Sequence, residues 1–362
     1  MDQISSILKI KYPIIQAPMA LADSPALVAA ISNQGGLGSL GVALFTPEQI
    51  REKIKEIRSL TDKPFAINLF APTTPKKYSE EEKQNTVKTL NYFRKKLGIP
   101  NIDQIEIKTA SSFEEKLSVI LEERIPIFSF TFGILSKEII QKIKSQGISV
   151  IGTATTVREA QLLEKNGVDM VVAQGYEAGG HRGTDLNITH LADALIGTMA
   201  LVPQVVDAVN IPVIASGGIM DGRGIVASFA LGAAGVQMGT AFLCCPESNI
   251  HAMHRKLLLE STDESTRLTT AFTGRMARSL KNQFLLEMEK ENFPILEFPI
   301  QSALVKDIRE AAQQQNNADY MSLWAGQASG FCQNKPAAQL FNEFLSEIKE
   351  ILMKKNKLIN ID

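Results

Sequence analysis

Pro212-Val213-Ile214-Ala215-Ser216-Gly217-Gly218-Ile219-Met220-Asp221-Gly222-Arg223 carries three structural signals in one short stretch. The apolar run Pro212–Ala215 reads as a buried strand, Ser216 to Gly218 as a tight loop, and Arg223 opens an amphipathic helix that runs to Leu231. A further apolar run follows at Gly235–Met238. Strand, helix and strand in this order imply that the two strands are parallel.

The same unit recurs on the N-terminal side. Strands are expected at Pro13–Ala17, Gly36–Leu40, Phe65–Leu69, Pro126–Phe130, Ser149–Gly152 and Met170–Ala173, which with the two above makes eight. Helical patterns at Pro25–Asn33, Pro47–Ser59, Phe113–Glu123, Lys137–Ser145, Val157–Lys165 and Leu191–Val209 separate most of them. Ser24-Pro25 and Thr46-Pro47 are helix starts, with proline at the first helical position. Eight parallel strands in about 240 residues match an α/β protein of the (β/α)8 TIM barrel type, which takes ~250. A doubly wound sheet is the alternative, but the first strand is not followed by G-x-G-x-x-G or by an acidic residue at dinucleotide spacing.

Two segments break the rhythm. Residues 71–109 are polar and rich in Pro, Lys and Glu, an insertion with one helix near Glu80–Leu97. Residues 251–331 have mixed helical character and are expected to form a smaller, mainly helical substrate-covering subdomain over the mouth of a barrel spanning 1–250. Apolar residues at helical spacing in 336–355 mark a last helix that packs back on the barrel.

The chain has 362 residues with 38 basic against 39 acidic, and 44% hydrophobic residues supply a sizeable core. The charge balance gives no support for nucleic-acid binding. Cys244, Cys245 and Cys332 lack metal-ligand spacing, so no metal site or disulfide framework is indicated. No apolar run reaches the ~20 residues that span a bilayer, and Met1 to Lys11 lack a signal-peptide core, so a soluble cytoplasmic protein is expected.

In a barrel the chemistry sits at the C-terminal strand ends. There the sequence places Ala17, Pro18 and Met19 after strand one, Asn68 at strand three, and Gln174 at strand six. Strand seven ends in Ser216, Gly217 and Gly218, and strand eight in Gln237, Met238, Gly239 and Thr240. Loops after strands seven and eight commonly bind phosphate. Their bare N–H groups, with the helix start at Asp221-Gly222-Arg223-Gly224, suggest an anion site, although such glycines can simply turn the chain. Asn68 and Gln174 suit the heteroatom edge of a flat ring such as a flavin, or serve as buried structural amides. Ala17, Pro18 and Met19 would add backbone groups and an apolar wall.

Glu177-Ala178-Gly179-Gly180-His181-Arg182-Gly183 places an imidazole at this mouth with little bulk around it. Gly179 and Gly180 permit close approach of a ligand, and His181 is the candidate catalytic group. His190, His251 and His254 read as structural.

These segments, with Pro13 to Met19, Ile67-Asn68-Leu69-Phe70, Ala215 to Ile219, Gly235 to Phe242, Thr273 to Arg278 and Leu323 to Gln327, resemble the nitronate monooxygenase (2-nitropropane dioxygenase) family. The resemblance implies an FMN-dependent barrel enzyme that oxidises alkyl nitronates with O2 to a carbonyl compound and nitrite. It implies FMN contacts at Ala17, Pro18, Met19, Asn68, Gln174, Gly179, Gly218, Gln237, Met238, Gly239 and Thr240, with His181 facing substrate. His181 would hold the nitronate oxygens, or take the α-proton of a neutral nitroalkane. Its partners would be a small nitronate and O2, with no nucleic acid or membrane, and a homodimer is compatible with it. Arg182, Arg275 and Arg278 are candidates to attract the anion, though a salt-bridged or solvated-helix reading weighs more. Tyr320 and Trp324 are candidates for pocket-lining residues. Alternatives are a flavin-dependent enoyl-ACP reductase, an NAD(P)H:quinone reductase and a non-catalytic flavin-binding protein.

Overall fold

The computed structural model describes residues 3–73, 76–104, 111–185, 187 and 190–358. Its strands are β1 Ile14–Gln16, β2 Gly38–Gly41, β3 Phe65–Phe70, β4 Ile127–Thr131, β5 Ser149–Ala154 and β6 Met170–Gln174. They continue with β7 Gly180–His181, β8 Val213–Ser216, β9 Gly235–Met238, β10 Thr266–Thr269 and β11 Ala277–Leu280.

Eight of these form one sheet in the order β1-β9-β8-β6-β5-β4-β3-β2, every pairing parallel. A parallel bridge from Ile15 to Leu37 joins the two ends, so the sheet closes into a TIM barrel. All eight expected barrel strands are present, with ends shifted by a residue or two.

Strand alternation sorts the side chains. Phe128, Phe130, Val171, Ala173, Val213 and Ala215 face out and join the helices in one large core. Ile15, Leu37, Ala66, Ile127, Ile151, Met170, Val172 and Ile214 face in and fill the barrel, where Ile4 and Leu8 of the short helix Gln3–Leu8 pack with them. The outer helices are set by local signals. At Thr46 the side chain accepts the Gln49 N–H and Gln49 returns the bond to the Thr46 N–H. Such a cap contributes about 1 kcal/mol. The helix Ala337–Leu358 packs against Pro25–Asn33 and Gly222–Ala230, with Leu340, Phe341 and Phe344 buried.

One expectation needs correction. The helix expected over Leu191–Val209 is a 3-10 turn at Leu191–Ala194 followed by a helix at Thr198–Ala208. The cause is Glu177, whose carboxylate accepts the Thr198 N–H (2.9 and 3.0 Å) and hydroxyl (2.9 Å), fixing the helix start there. The region after 251 is mainly helical and adds two short strands. Its strands β10 and β11 pair antiparallel, and β11 pairs with β7, which follows barrel strand β6. Around this small sheet lies a second core, in which Leu258, Phe272, Phe284 and Ile308 meet Leu90 and Phe93 of the inserted helix Glu80–Leu97.

Candidate active site

The inward positions change character along the strands. Below are the apolar residues that fill the barrel; above them, at the C-terminal ends, stand Asn68, Ser129, Thr131, Thr153, Gln174, Ser216 and Gln237. This polar layer floors a cavity of about 320 Å³. Its walls include Ala17, Pro18, Met19, Gly179, Gly180, His181, Gly217, Gly218, Met238, Gly239 and Thr240, so His181 and all the expected cofactor-contact residues meet at one place.

Their roles differ in detail from the expectation. The Gln174 amide is largely spent on protein: its Oε1 accepts Arg182 Nη1 (3.1 Å) and the Gly183 N–H (2.8 Å), and its Nε2 donates to the His181 carbonyl (3.1 Å). Gln237 makes no side-chain hydrogen bond among the described residues, so its amide is the one available to a ligand. Asn68 donates to Ser129 Oγ (2.9 Å), which leaves its Oδ1 free. The backbone of the first loop is also occupied. The Ala17 N–H donates to Met238 O (2.9 Å), the Ala17 carbonyl takes the Gln16 amide, and the Met19 N–H donates to Asp23 (2.6 Å). Ala17 to Met19 therefore give the cavity an apolar wall and no N–H donors. The Met238 side chain points out into the outer core.

The helix start at Asp221–Gly224 is not an anion site. Gly222 N–H donates to Glu347 (2.7 Å), while Arg223 and Gly224 N–H donate to Asp221 (2.9 and 3.3 Å). Its dipole is already met by two carboxylates. The loops before it remain open. Gly217 and Gly218 hold φ of +113° and +72°, which glycine adopts without strain, and the Gly218 and Gly239 N–H groups have no acceptor among the described residues. Thr240 Oγ1 accepts the Gly326 N–H (2.9 Å) and keeps its own proton for a ligand.

His181 stands across from these loops. Its ring lies edge-on to Phe132 (5.6 Å between centroids) and tilted against Trp324 (5.1 Å), and its Nε2 is 2.9 Å from Thr273 Oγ1. Removal from water, and then the nearby guanidinium groups of Arg275 and Arg309, push its pKa down to about 3. The imidazole is therefore neutral at physiological pH.

Of the arginines, none of the three expected lines the cavity. Arg182 clamps the carbonyls of Gly175 (2.6 Å), Gln174 (2.9 Å) and Ala194 (3.0 Å). Arg278 donates to Tyr176 O (3.1 Å), and Arg275 lies 3.9 Å over the Phe132 ring and donates to Thr184 O. They are buried braces for loops, with no salt bridge among the described residues. The cation that does line the cavity is Arg309, on the helix Lys306–Gln314, which among the described residues has only Ser302 as an acceptor and a buried Nε with no partner. Sequence reading missed it because that helix looks like any amphipathic surface helix. It also missed Phe132, His251 and His254, which line the cavity, and it included Tyr320, which is buried in the second core. Trp324 lines the cavity as expected.

The chain matches the nitronate monooxygenase family over residues 2–347. It is 41% identical over 351 residues to a probable nitronate monooxygenase of Staphylococcus haemolyticus, covering 97% of this chain and 98% of that one. A probable nitronate monooxygenase of Staphylococcus aureus is 40% identical over 354 residues, covering 98% and 99%. Among solved structures, nitroalkane oxidase from Streptomyces ansochromogenes superposes with a TM-score of 0.89 at 35% identity, covering 97% of this chain and 99% of that one. FabK from Thermotoga maritima gives 0.78 at 31%, covering 99% of each. A barrel mouth with this donor set, found in a chain alike from end to end to these relatives, has one conclusion: the protein is an oxidoreductase that belongs to the nitronate monooxygenase family.

Proposed function

We propose that the protein is an FMN-dependent enzyme that oxidises alkyl nitronates with O2, giving a carbonyl compound and nitrite. The observation that carries this reading is the division of the cavity. One end offers unpaired N–H groups at Gly218 and Gly239, the floor offers the free amide functions of Gln237 and Asn68, and His181 and Arg309 stand over the other end. N–H donors without a side-chain cation suit a phosphate held by backbone. Free amide groups beside a flat apolar wall at Ala17 to Met19 suit a ring with alternating donors and acceptors. When bound, the flavin supplies the electron transfer between nitronate and O2.

The chain's own residues do the rest. Arg309 places positive charge where an anionic nitronate would lie. Phe132, Trp324 and Phe298 keep water from that end of the cavity. His181, neutral and fixed by its neighbours, faces the reacting group. A base whose conjugate acid has a pKa of about 3 takes a carbon-bound proton poorly, so the site accepts ready-made nitronates in preference to neutral nitroalkanes.

The test is oxygen uptake by FMN-loaded protein given an alkyl nitronate without NAD(P)H. Uptake with nitrite release supports the proposal. A folded, yellow protein that takes up no oxygen and instead oxidises NAD(P)H would replace it with a reductase.

A further inference from the structure

Thr273 carries one hydroxyl proton and has two places to put it. Its Oγ1 lies 2.9 Å from His181 Nε2 and 3.2 Å from the Arg275 carbonyl, and it accepts the Arg275 N–H at 3.4 Å. The choice propagates. If the proton points to the carbonyl, Nε2 must be the donor and Nδ1 is a bare acceptor. If it points to Nε2, the ring proton sits on Nδ1 and Nδ1–H is a donor. A neutral imidazole has one nitrogen of each kind, so the two settings exclude each other.

The surroundings leave little else free to move. Phe132 and Trp324 flank the ring, and Nδ1 has no partner among the described residues. The turn holding Thr273 is rigidly seated: Gly274 has φ +75°, and a Cβ there would lie 2.0 Å from the Leu296 carbonyl. Rotation of the hydroxyl is thus the inexpensive motion. A bare Nδ1 lone pair facing an anionic oxygen repels it, whereas Nδ1–H makes a charge-assisted hydrogen bond, about twice as strong as a neutral one.

We propose that Thr273 is a positioning residue that sets the tautomer of His181: with an anion in the cavity its hydroxyl turns to Nε2, and Nδ1–H donates to the anion. The chain of donors runs Arg275 N–H to Thr273 Oγ, Thr273 O–H to His181 Nε2, and His181 Nδ1–H to the ligand. The identity of that anion as a nitronate rests on the function proposed above; the tautomer switch does not.

The experiment is nitrogen-15 histidine NMR on the FMN-loaded protein, with nitrate as an inert planar anion. Saturating nitrate is expected to place the His181 proton on Nδ1 in the native protein and in Thr273→Ser. In Thr273→Val nitrate still favours Nδ1–H but nothing donates to Nε2, so the Nε2 signal moves to that of an unbonded ring nitrogen and the nitrate Kd rises about tenfold while FMN content is unchanged. A bare Nδ1 in the nitrate-saturated native protein, no nitrate binding, or native-like behaviour of Thr273→Val would each overturn the proposal. If the valine variant does not fold, the native spectrum decides alone. Absent nitronate turnover with an intact nitrate response would sink only the proposed function.

Discussion

The floor and the roof of the cavity are made of different things. On the barrel side the available groups are backbone N–H at Gly218 and Gly239 and neutral amides at Asn68 and Gln237, all fixed by the sheet. On the other side they are side chains brought by later segments: Thr273, Phe298, Arg309 and Trp324. A ligand common to many substrates is best held by backbone, which cannot change with a single residue. Discrimination among substrates belongs to side chains that can. The contrast predicts that floor variants change cofactor retention and roof variants change substrate kinetics.

The sharpest way to break that division is Gly218→Val. A side chain at φ +72° costs about 1–2 kcal/mol and sets its Cβ 3.5 Å from Glu177 Cβ, so relief of the strain displaces the loop that carries the Gly218 N–H. The FMN Kd, measured by fluorescence titration of the apoprotein, is expected to rise about a hundredfold, the loss of roughly two charge-assisted bonds. An unchanged Kd removes phosphate from this wall. His181→Asn should do the reverse: full FMN retention, with kcat/KM for a nitronate down about a hundredfold. Arg309→Met should raise KM about tenfold with kcat held, the pattern of lost ground-state binding. Equal loss of kcat would instead place Arg309 in the reacting geometry.

The smallest effects are in pH dependence. His181 and His254 are depressed to about 3 and about 4, chiefly by burial. No limb from His181 or His254 is therefore expected in kcat/KM between about pH 5 and 8. Both groups bind a proton more readily when unfolded, so their effect on stability worsens as pH falls below about 6.5. Asp23 acts oppositely. Burial raises it to about 7 although its Oδ2 accepts the Met19 and Gly41 N–H groups (2.6 and 2.8 Å), and its Oδ1 is unpartnered. The folded state holds that proton, so stability declines as pH rises through about 7. The Tm of Asp23→Asn relative to the native protein should therefore increase from about pH 5 to 8. A difference independent of pH would mean that Asp23 does not titrate there.

What could be read in the sequence follows the same line between floor and roof. Each barrel strand is a local apolar run with its own loop and helix signal, so Phe65–Phe70 and Val213–Ser216 were visible without tertiary information. The residues at their ends followed from the barrel rule, and all of them line the cavity. What local pattern could not show was how hydrogen bonds are divided among them. Gln174 and Gln237 look alike in sequence, but only a folded Arg182 and Gly183 reveal that the first is occupied. At the Asp221–Gly224 helix start the Arg223 and Gly224 N–H groups go to the local cap Asp221, but the acceptor of the Gly222 N–H, Glu347, is distant in sequence and has no local signal. Arg309 and Thr273 reach the site through packing of a second core, and no local pattern says what an amphipathic helix face will meet.

The pairing of β7 with β11 has a practical consequence for anyone who would rebuild this enzyme. Gly180 and His181 leave a barrel strand yet are hydrogen-bonded into the small sheet with Arg278 and Ala277. The histidine is thus stitched to the roof while encoded in the barrel. A chimera that exchanged residues 251–331 alone would part the seam and misplace the imidazole. The transplantable piece is discontinuous, and the loop from Gln174 to Asp185 must travel with it.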